Sequence, residues 1–477
     1  MSLDKNSMDH VVYSPVINNQ EKLNRVPTIG ARHYQCFLYF MILFIGFGFR
    51  VNLSVAIVAM VDPKASSNPD IPTYPEWTHK GEILSAFFWG YIWPQVIAGY
   101  VANRFGAKWF LVTTMAVQSA AGLCIPFVAG RFGEMGVMAL RAFQGFCQGF
   151  FFPSVAAMLS VWVPREERSR LASLTFGAVP SGTVVGMMVT GLISATHYGW
   201  PMVFYIYGAL GVLTSILLGL TGYNTPAEHP SIGEAEKLYI ESSLGNTDEK
   251  PHHSVPWKEI LLSKHVWALM TAQCGSVFAF WVLLTQIPTY MSVVLNLDIK
   301  NNSILSSLPY LVLYLLSIIM GFLSDFLINK DIFTQTVSRK VFNSIGTILP
   351  IIAFIMMGYV KSGESTKVIW LLIIAVGSNA ITGSGWSLNH MDLSPNYSGT
   401  VMGFCNGFST IFSISAPLTV QYLVKDIHDP VQWRIIFFLA AGFQAFAAIV
   451  FVIFGSAEVQ PWNDKTEEPN EDSKNNL

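Results

Sequence analysis

The stretch Phe47-Gly-Phe-Arg50-Val-Asn52-Leu-Ser54-Val-Ala-Ile-Val-Ala-Met60 carries a single charge. It lies inside a longer apolar run, 35–61, and a helix of ~20 such residues crosses the hydrocarbon of a bilayer. A guanidinium in that setting costs at least ~2.5 kcal/mol on insertion scales, so Arg50 demands a reason. Working outward, eleven more apolar runs follow, at about 81–101, 109–130, 135–162, 170–194, 201–222, 265–291, 303–325, 340–360, 368–390, 398–423 and 433–456. The composition agrees. Of 477 residues, 52% are hydrophobic and only 12% charged, against ~25% charged in soluble domains. These side chains cannot solvate the surface of a water-soluble chain this long. A net charge of −2 removes the basic field that a nucleic-acid binder uses.

The sequence therefore predicts an all-α polytopic membrane protein with twelve transmembrane helices. A polar interruption over 223–264, holding Pro226, Pro230, Pro251 and Pro256, divides the spans six and six. The expected organisation is a cytoplasmic N-terminal tail (1–34), an N-terminal six-helix bundle (35–222), a central cytoplasmic loop (223–264), a C-terminal six-helix bundle (265–456) and a cytoplasmic C-terminal tail (457–477). The halves echo one another: Gly99-Tyr-Val-Ala-Asn103-Arg104 closes the second span and Gly321-Phe-Leu-Ser-Asp325 closes the eighth. Repeated halves are a known transporter design. Residues 1–32 have no apolar core, so the first span is expected to serve as the membrane signal. With both termini cytoplasmic, eighteen of the 28 Lys and Arg residues fall on the cytoplasmic side and eight opposite, as the positive-inside bias requires. The five cysteines all lie in apolar runs at scattered spacing and read as inert thiols rather than a disulfide frame or zinc site.

That sorting leaves two basic residues inside spans, Arg50 and Arg141. No Asp or Glu occupies the middle of any span; Glu82, Glu134, Asp325 and Asp392 sit near span ends. Two buried cations without a protein counter-ion suggest that the ligand is the counter-ion, since guanidinium donors suit carboxylate and phosphate. The alternative is that each arginine binds helix carbonyls or reaches headgroups. Arg141, Gln144, Gly145 and Gln148 fall at i, i+3, i+4 and i+7, one helical face. That stripe faces a cavity or serves as interhelical glue. Asn52 either braces Arg50 or packs. Tyr91, in the aromatic run Phe87-Phe-Trp-Gly-Tyr91, is core or reaches a pocket. No histidine sits centrally in a span, no phosphate-binding G-x-x-x-x-G-K-[ST] loop exists, and no enzyme motif appears.

Several strings together resemble one family. Gly99-x-x-x-Asn103-Arg104-x-Gly106-x-Lys108 is similar to a loop signature of the major facilitator superfamily. Arg50-Val-Asn52-Leu-Ser54, Phe87-Phe-Trp-Gly-Tyr91, Arg141-x-x-Gln144-Gly145-x-x-Gln148-Gly149, Trp162-x-Pro164-x-Glu166-Glu167-Arg168-Ser169-Arg170-Leu171 and Asn389-His390-x-Asp392-x-x-Pro395 resemble its anion:cation symporter branch. That branch contains sialin, vesicular glutamate transporters and sodium–phosphate cotransporters. The resemblance runs from about Arg32 to Trp462. It implies two six-helix bundles, alternating access, and anions held by Arg50 and Arg141, with Asn103, Arg104 and Asp325 in conformational gating loops.

The departures are informative. Proton-coupled members carry a glutamate where Gln148 stands, and an amide cannot take up a proton. Vesicular glutamate members carry a histidine at Leu84 and an arginine at Gly275. The sequence thus predicts a secondary transporter of small anions, Na⁺-dependent for inorganic phosphate or an organic anion, or else a potential-driven organic-anion facilitator, with a non-transporting anion sensor as the remote alternative. No cofactor or bound metal is expected beyond co-transported Na⁺. The expected partners are a small anionic substrate and the bilayer, with the chain a monomer in the plasma membrane rather than a lysosomal or vesicular one.

Overall fold

The computed structural model describes residues 27–464 except 64–66, 96–97, 99–106, 165–166, 245–254, 294–298, 361–363 and 395–396. Apolar segments with no water to satisfy their backbone must close their hydrogen bonds internally, and helices do so. Helix α1 spans Ala31–Val61 and α2 spans Lys80–Tyr91. The next apolar stretch, Ala107–Gln148, is broken at Gly133, giving α3 (107–132) and α4 (134–148). Gly133 has φ +60° with open space around its Cα. The turn therefore needs glycine for its backbone angle and not for packing. After a turn at 149–150 the chain continues as α5 (Phe151–Trp162), α6 (Arg168–Phe176), α7 (Ala178–Ser194) and α8 (Gly199–Thr221). The central segment contributes two short helices, α9 (Glu234–Leu244) and α10 (Trp257–Leu262).

The second half repeats the pattern with α11 (Lys264–Val293), α12 (Ile299–Asn329) and α13 (Gln335–Met357). The tenth span is broken into α14 (Ser365–Gly377), α15 (Asn379–Gly383) and α16 (Trp386–Leu393). Helices α17 (Ser398–Leu423) and α18 (Pro430–Phe454) complete it. Among the described residues, ten helical stretches are long and apolar enough to cross a membrane. One of them, Ala107–Leu159, folds back at Gly133 and crosses twice, and α2 is the described part of the second predicted span. The described parts of the twelve predicted spans are thus predominantly helical, and two six-helix bundles result. Among the described residues there is no strand.

Large apolar side chains such as Phe127, Phe132, Ile319, Phe322 and Ile453 face outward. In water such a surface would aggregate; in lipid it is the solvated one. The bundles meet where α7 packs on α12, α2 on α17 and α1 on α11. We call the face at which α1 begins the base and the face at which it ends the crown.

Within the first bundle, α2 and α4 approach unusually closely. A Cβ built on Gly90 would lie 1.8 Å from the Ala142 carbonyl oxygen, and one built on Gly145 would lie 1.7 Å from that of Phe87. Only a glycine on each helix permits this contact. It sets Arg141 on α4 beside the aromatic run of α2. At the base, Glu236 of α9 holds the start of α1. Its carboxylate accepts the Ala31 and Arg32 backbone N–H groups at 3.0 and 3.1 Å and pairs with Arg32 Nη1 at 2.9 Å. Arg32 also pairs with Glu167 through Nε at 2.7 Å and Nη2 at 3.0 Å. In the second bundle Arg339 Nε pairs with Asp392 at 2.7 Å. These acids at helix ends satisfy local cations and do not reach the centre.

Candidate functional site

Arg50 and Arg141 meet in one small cavity between the bundles. It is lined by Arg50, Ser54, Leu84, Phe88, Arg141 and, from the opposite bundle, Trp281. Its volume is about 10 Å³, roughly the room one water requires. The site as it stands is narrow, and Arg50 within it is half-buried.

The two guanidinium groups are stabilised differently. Arg141 is 2% exposed. Its Nη1 donates to the Phe49 carbonyl at 2.9 Å and to Gln144 Oε1 at 3.2 Å, and its Nη2 donates to the Arg50 carbonyl at 3.1 Å. The carbonyl-binding alternative thus applies to much of Arg141, which ties α4 to the backbone of α1 at the level of Arg50. Its Nε has no partner. Arg50 sits in an aromatic cage, with its Cζ 4.3 Å from the ring centroid of Trp281, 4.6 Å from Tyr91, 5.0 Å from Phe88, 5.1 Å from Phe87 and 5.4 Å from Phe47. Each such contact is worth ~0.5–2 kcal/mol, more where water is excluded. The cage stabilises the cation without neutralising it, and Arg50 Nε is buried and unpartnered. Among the described residues neither arginine pairs with a carboxylate. The positive charge is doubled and locally uncompensated, which suits a site whose missing component is an anion.

The other predicted residues divide. Tyr91 is brought to Arg50. Asn52 is not: it is fully buried, and neither side-chain polar atom has a partner. On a helix, positions two apart point away from each other, which separates Asn52 from the Arg50 cage. Gln148 lies toward the base, where its Nε2 donates to the Gly46 carbonyl while Oε1 is unpartnered. Gln144 joins the site through Arg141, and its Nε2 continues to the Gln118 carbonyl at 3.3 Å. Leu84 lines the cavity as an apolar wall. Gly275 does not line it and packs instead against Phe443 and Ala447 of α18. Asn103 and Arg104 lie outside the described residues. Asp325 falls within α12, and its side chain is likewise outside them.

Sequence reasoning missed Trp281 and Phe88. Both sit in apolar helical runs rich in aromatics, where nothing in the pattern separates a cage wall from core. Their rings stack edge to face at 4.6 Å across the two bundles. It also missed the crown closure. The Glu82 carboxylate accepts from Gln421 Nε2 at 2.8 Å and from the Tyr422 hydroxyl at 3.1 Å, while the Glu82 N–H donates to Gln421 Oε1 at 2.9 Å. These bonds join α2 to α17 above the cavity.

Comparison with known proteins accounts for this architecture. The family described as the Major Facilitator Superfamily matches residues 36–417. This chain belongs to the major facilitator superfamily. Within it, the chain is 33% identical over 95% of its length to a Drosophila melanogaster protein named "Putative inorganic phosphate cotransporter", 91% of which is covered. It is 34% identical to human sialin, with 94% of each chain covered. It is 33% identical to human vesicular glutamate transporter 2, over 89% of this chain and 74% of that one. These relatives place the major facilitator chain in the anion:cation symporter group, as its motifs implied, and make it a membrane transporter of anions and not an enzyme. A solved bacterial homologue of the human lysosomal transporter Spinster, inward-facing and unoccupied, superposes with a TM-score of 0.67 over 91% of this chain and 100% of that one. At 14% identity it shows the shared fold alone.

Proposed function

We propose that this transporter moves a small anion by alternating access, as a Na⁺-dependent cotransporter of inorganic phosphate or an organic anion, with Arg50 and Arg141 as the anion-binding pair. The observation that carries the reading is the joint cavity: two guanidinium groups, π faces and carbonyls around them, and no carboxylate among the described residues. Arg50 supplies the charge that the anion meets. Arg141 fixes the α1 backbone beneath it and adds its own field. Tyr91 borders the anion through the Arg50 cage, whereas Asn52, turned away from the cage, is not part of the proposed pair. The kinship with a phosphate-named fly protein supports phosphate as the first substrate to try.

Gln148 supports Na⁺ over H⁺ as the coupling ion, because its amide has no proton to exchange. Uptake of a monovalent anion against a negative-inside potential needs ~2.3 kcal/mol per 100 mV, and a co-transported cation supplies it. We further propose a monomer in the plasma membrane, with both termini and therefore the base on the cytoplasmic side, and with Asn103, Arg104 and Asp325 in the gating loops at that face.

The test is radiolabelled uptake of phosphate and organic anions in cells, in Na⁺ and in choline, at two pH values. Saturable uptake that needs Na⁺ and disappears in Arg50→Ala and in Arg141→Ala, at normal surface expression, is expected. Flux unchanged in choline points to the potential-driven facilitator instead. Transport retained in both arginine variants overturns the arginine site.

A further inference from the structure

Toward the base from the arginine cavity, three neutral amides form a relay that crosses from one bundle to the other. Gln273 of α11 donates through Nε2 to Asn406 Oδ1 at 3.3 Å and to Ser409 Oγ at 3.2 Å. Asn406 of α17 donates through Nδ2 to Gln95 Oε1 at 3.1 Å. Gln95 lies one helical turn beyond Tyr91, in the continuation of α2. All of the donating runs one way, from the second bundle to the first. It ends on Gln95 Nε2, which is buried and has no acceptor.

The helix directions fix the position of this relay. Helix α2 runs from crown to base, so Gln95 is on the base side of Tyr91. Helices α11 and α17 run from base to crown. Gln273 precedes Trp281 by eight residues, or ~12 Å at 1.5 Å per residue. The amides thus lie between the cavity and the base. The Glu82–Gln421–Tyr422 contacts close the opposite side, where α2 and α17 meet again. A solute in the cavity is enclosed between two polar contacts of the same helix pair.

We propose that Gln95, Asn406 and Gln273 are the base-side gate of the transporter, the Gln95–Asn406 bond being the contact that breaks when the cavity opens toward the base. Three features of the relay fit a gate better than a permanent strut. The bond joins elements of different bundles, which must separate in alternating access. It is a single neutral hydrogen bond, weaker than a charge-assisted one, and needs no proton or ion to release it. The donor left over on Gln95 is unsatisfied while the gate is shut and gains water when it opens, which offsets part of the bond lost. Opening toward the crown leaves the amide relay intact and breaks the Glu82 contacts instead.

The gate rests on the transport reading for its purpose, but its test requires no transport. Ser54 lines the cavity, so Ser54→Cys is placed in the full-length chain, with the exposed Cys124 replaced by serine and the same chain without Ser54→Cys as the blank. A membrane-impermeant methanethiosulfonate is applied separately to each face of oriented vesicles. Labelling from the base is expected to be several-fold faster in Gln95→Leu and in Asn406→Leu, with labelling from the crown unchanged or slower. The double variant should be no faster than either single one, because the same inter-bundle bond, Gln95–Asn406, is lost in all three, while the Gln273–Asn406 bond lies within the second bundle. Unchanged labelling from the base overturns the gate. So do additive effects of the two substitutions, or acceleration from both faces alike, which is the signature of a loosened fold. Directional labelling together with transport that survives loss of the arginines would leave the gate standing and remove the anion site.

Discussion

Gly145→Ala adds one methyl group, and the structure says where it must go. The new Cβ would lie 1.7 Å from the Phe87 carbonyl oxygen and 3.1 Å from the Tyr91 backbone nitrogen. Contacts below 3.0 Å are essentially never made by real Cβ atoms, so α2 and α4 must part by more than 1 Å. The neighbour is backbone held inside a helix and cannot rotate away. Overpacking of this kind costs ~1–3 kcal/mol, which this many-helix protein can survive. The functional effect should be larger. Helix α2 carries Phe87, Phe88 and Tyr91 of the Arg50 cage, and α4 carries Arg141. A shift of ~1 Å at such a site costs on the order of 100-fold in rate. Initial rates of phosphate uptake per transporter at the surface measure this, with thermal stability in detergent as the companion reading. Gly90→Ala strikes the same contact from the other helix, 1.8 Å from the Ala142 oxygen, and should match it. The two together should cost less than the sum, since the helices separate once. Gly407→Ala on α17, which has nothing within 4 Å of its added Cβ, should be neutral. Wild-type uptake by Gly145→Ala would refute the idea that this close approach sets the geometry of the cage.

Trp281→Ala removes the nearest ring from Arg50 and the contact of Phe88 with the other bundle; uptake should fall while Trp281→Phe retains part of it, and an alanine variant with unaltered KM and rate would count against the cage. Gln148→Glu should bring in pH dependence: protonated, the new side chain donates to Gly46 as the amide does, whereas ionised it cannot and adds an anion near the arginines, so uptake should fall as pH rises, and a flat profile would contradict this. Glu236→Ala leaves the 2%-exposed Arg32 with Glu167 as its remaining acid partner and uncaps α1; losing one member of a buried ion pair costs ~3–5 kcal/mol, and a melting curve in detergent that does not move would show that α9 is not holding α1. Glu82→Ala breaks the crown closure and should speed cysteine labelling at position 54 from the crown alone.

Much of the fold was legible because lipid leaves the backbone few choices. Apolar runs of sufficient length become helices, and the predicted spans coincide with observed helices to within a few residues, except the second, whose end falls outside the described residues. The break of the tenth span into α14, α15 and α16 was not legible. It occurs at Ser378 and again at Ser384-Gly385, beside Gly377 and Gly383, where an apolar run with small residues reads as an ordinary membrane helix. Arg50 and Arg141 stood out because each carries an energetic cost in hydrocarbon that composition alone exposes. Trp281, Asn406 and Gln273 did not, because their roles lie in what they touch across the bundle interface, and one sequence has no term for that.

By itself the sequence determined the number of crossings, the two uncompensated cations, and the absence of a proton-exchanging side chain at position 148. These are properties of single residues and of their immediate runs, fixed by the cost of placing charge and bare backbone in lipid. Tertiary structure decided the rest. It placed Arg50 among five rings, used most of Arg141 on the carbonyls of Phe49 and Arg50, separated Asn52 from the cage, and joined α2 to α17 by polar contacts on both the crown and the base side of the cavity. Those outcomes depend on how closely helices pack, and that distance is set by the apposition of Gly90 and Gly145 on different helices. Residues 55 positions apart meet at one contact, and only the folded chain brings them there.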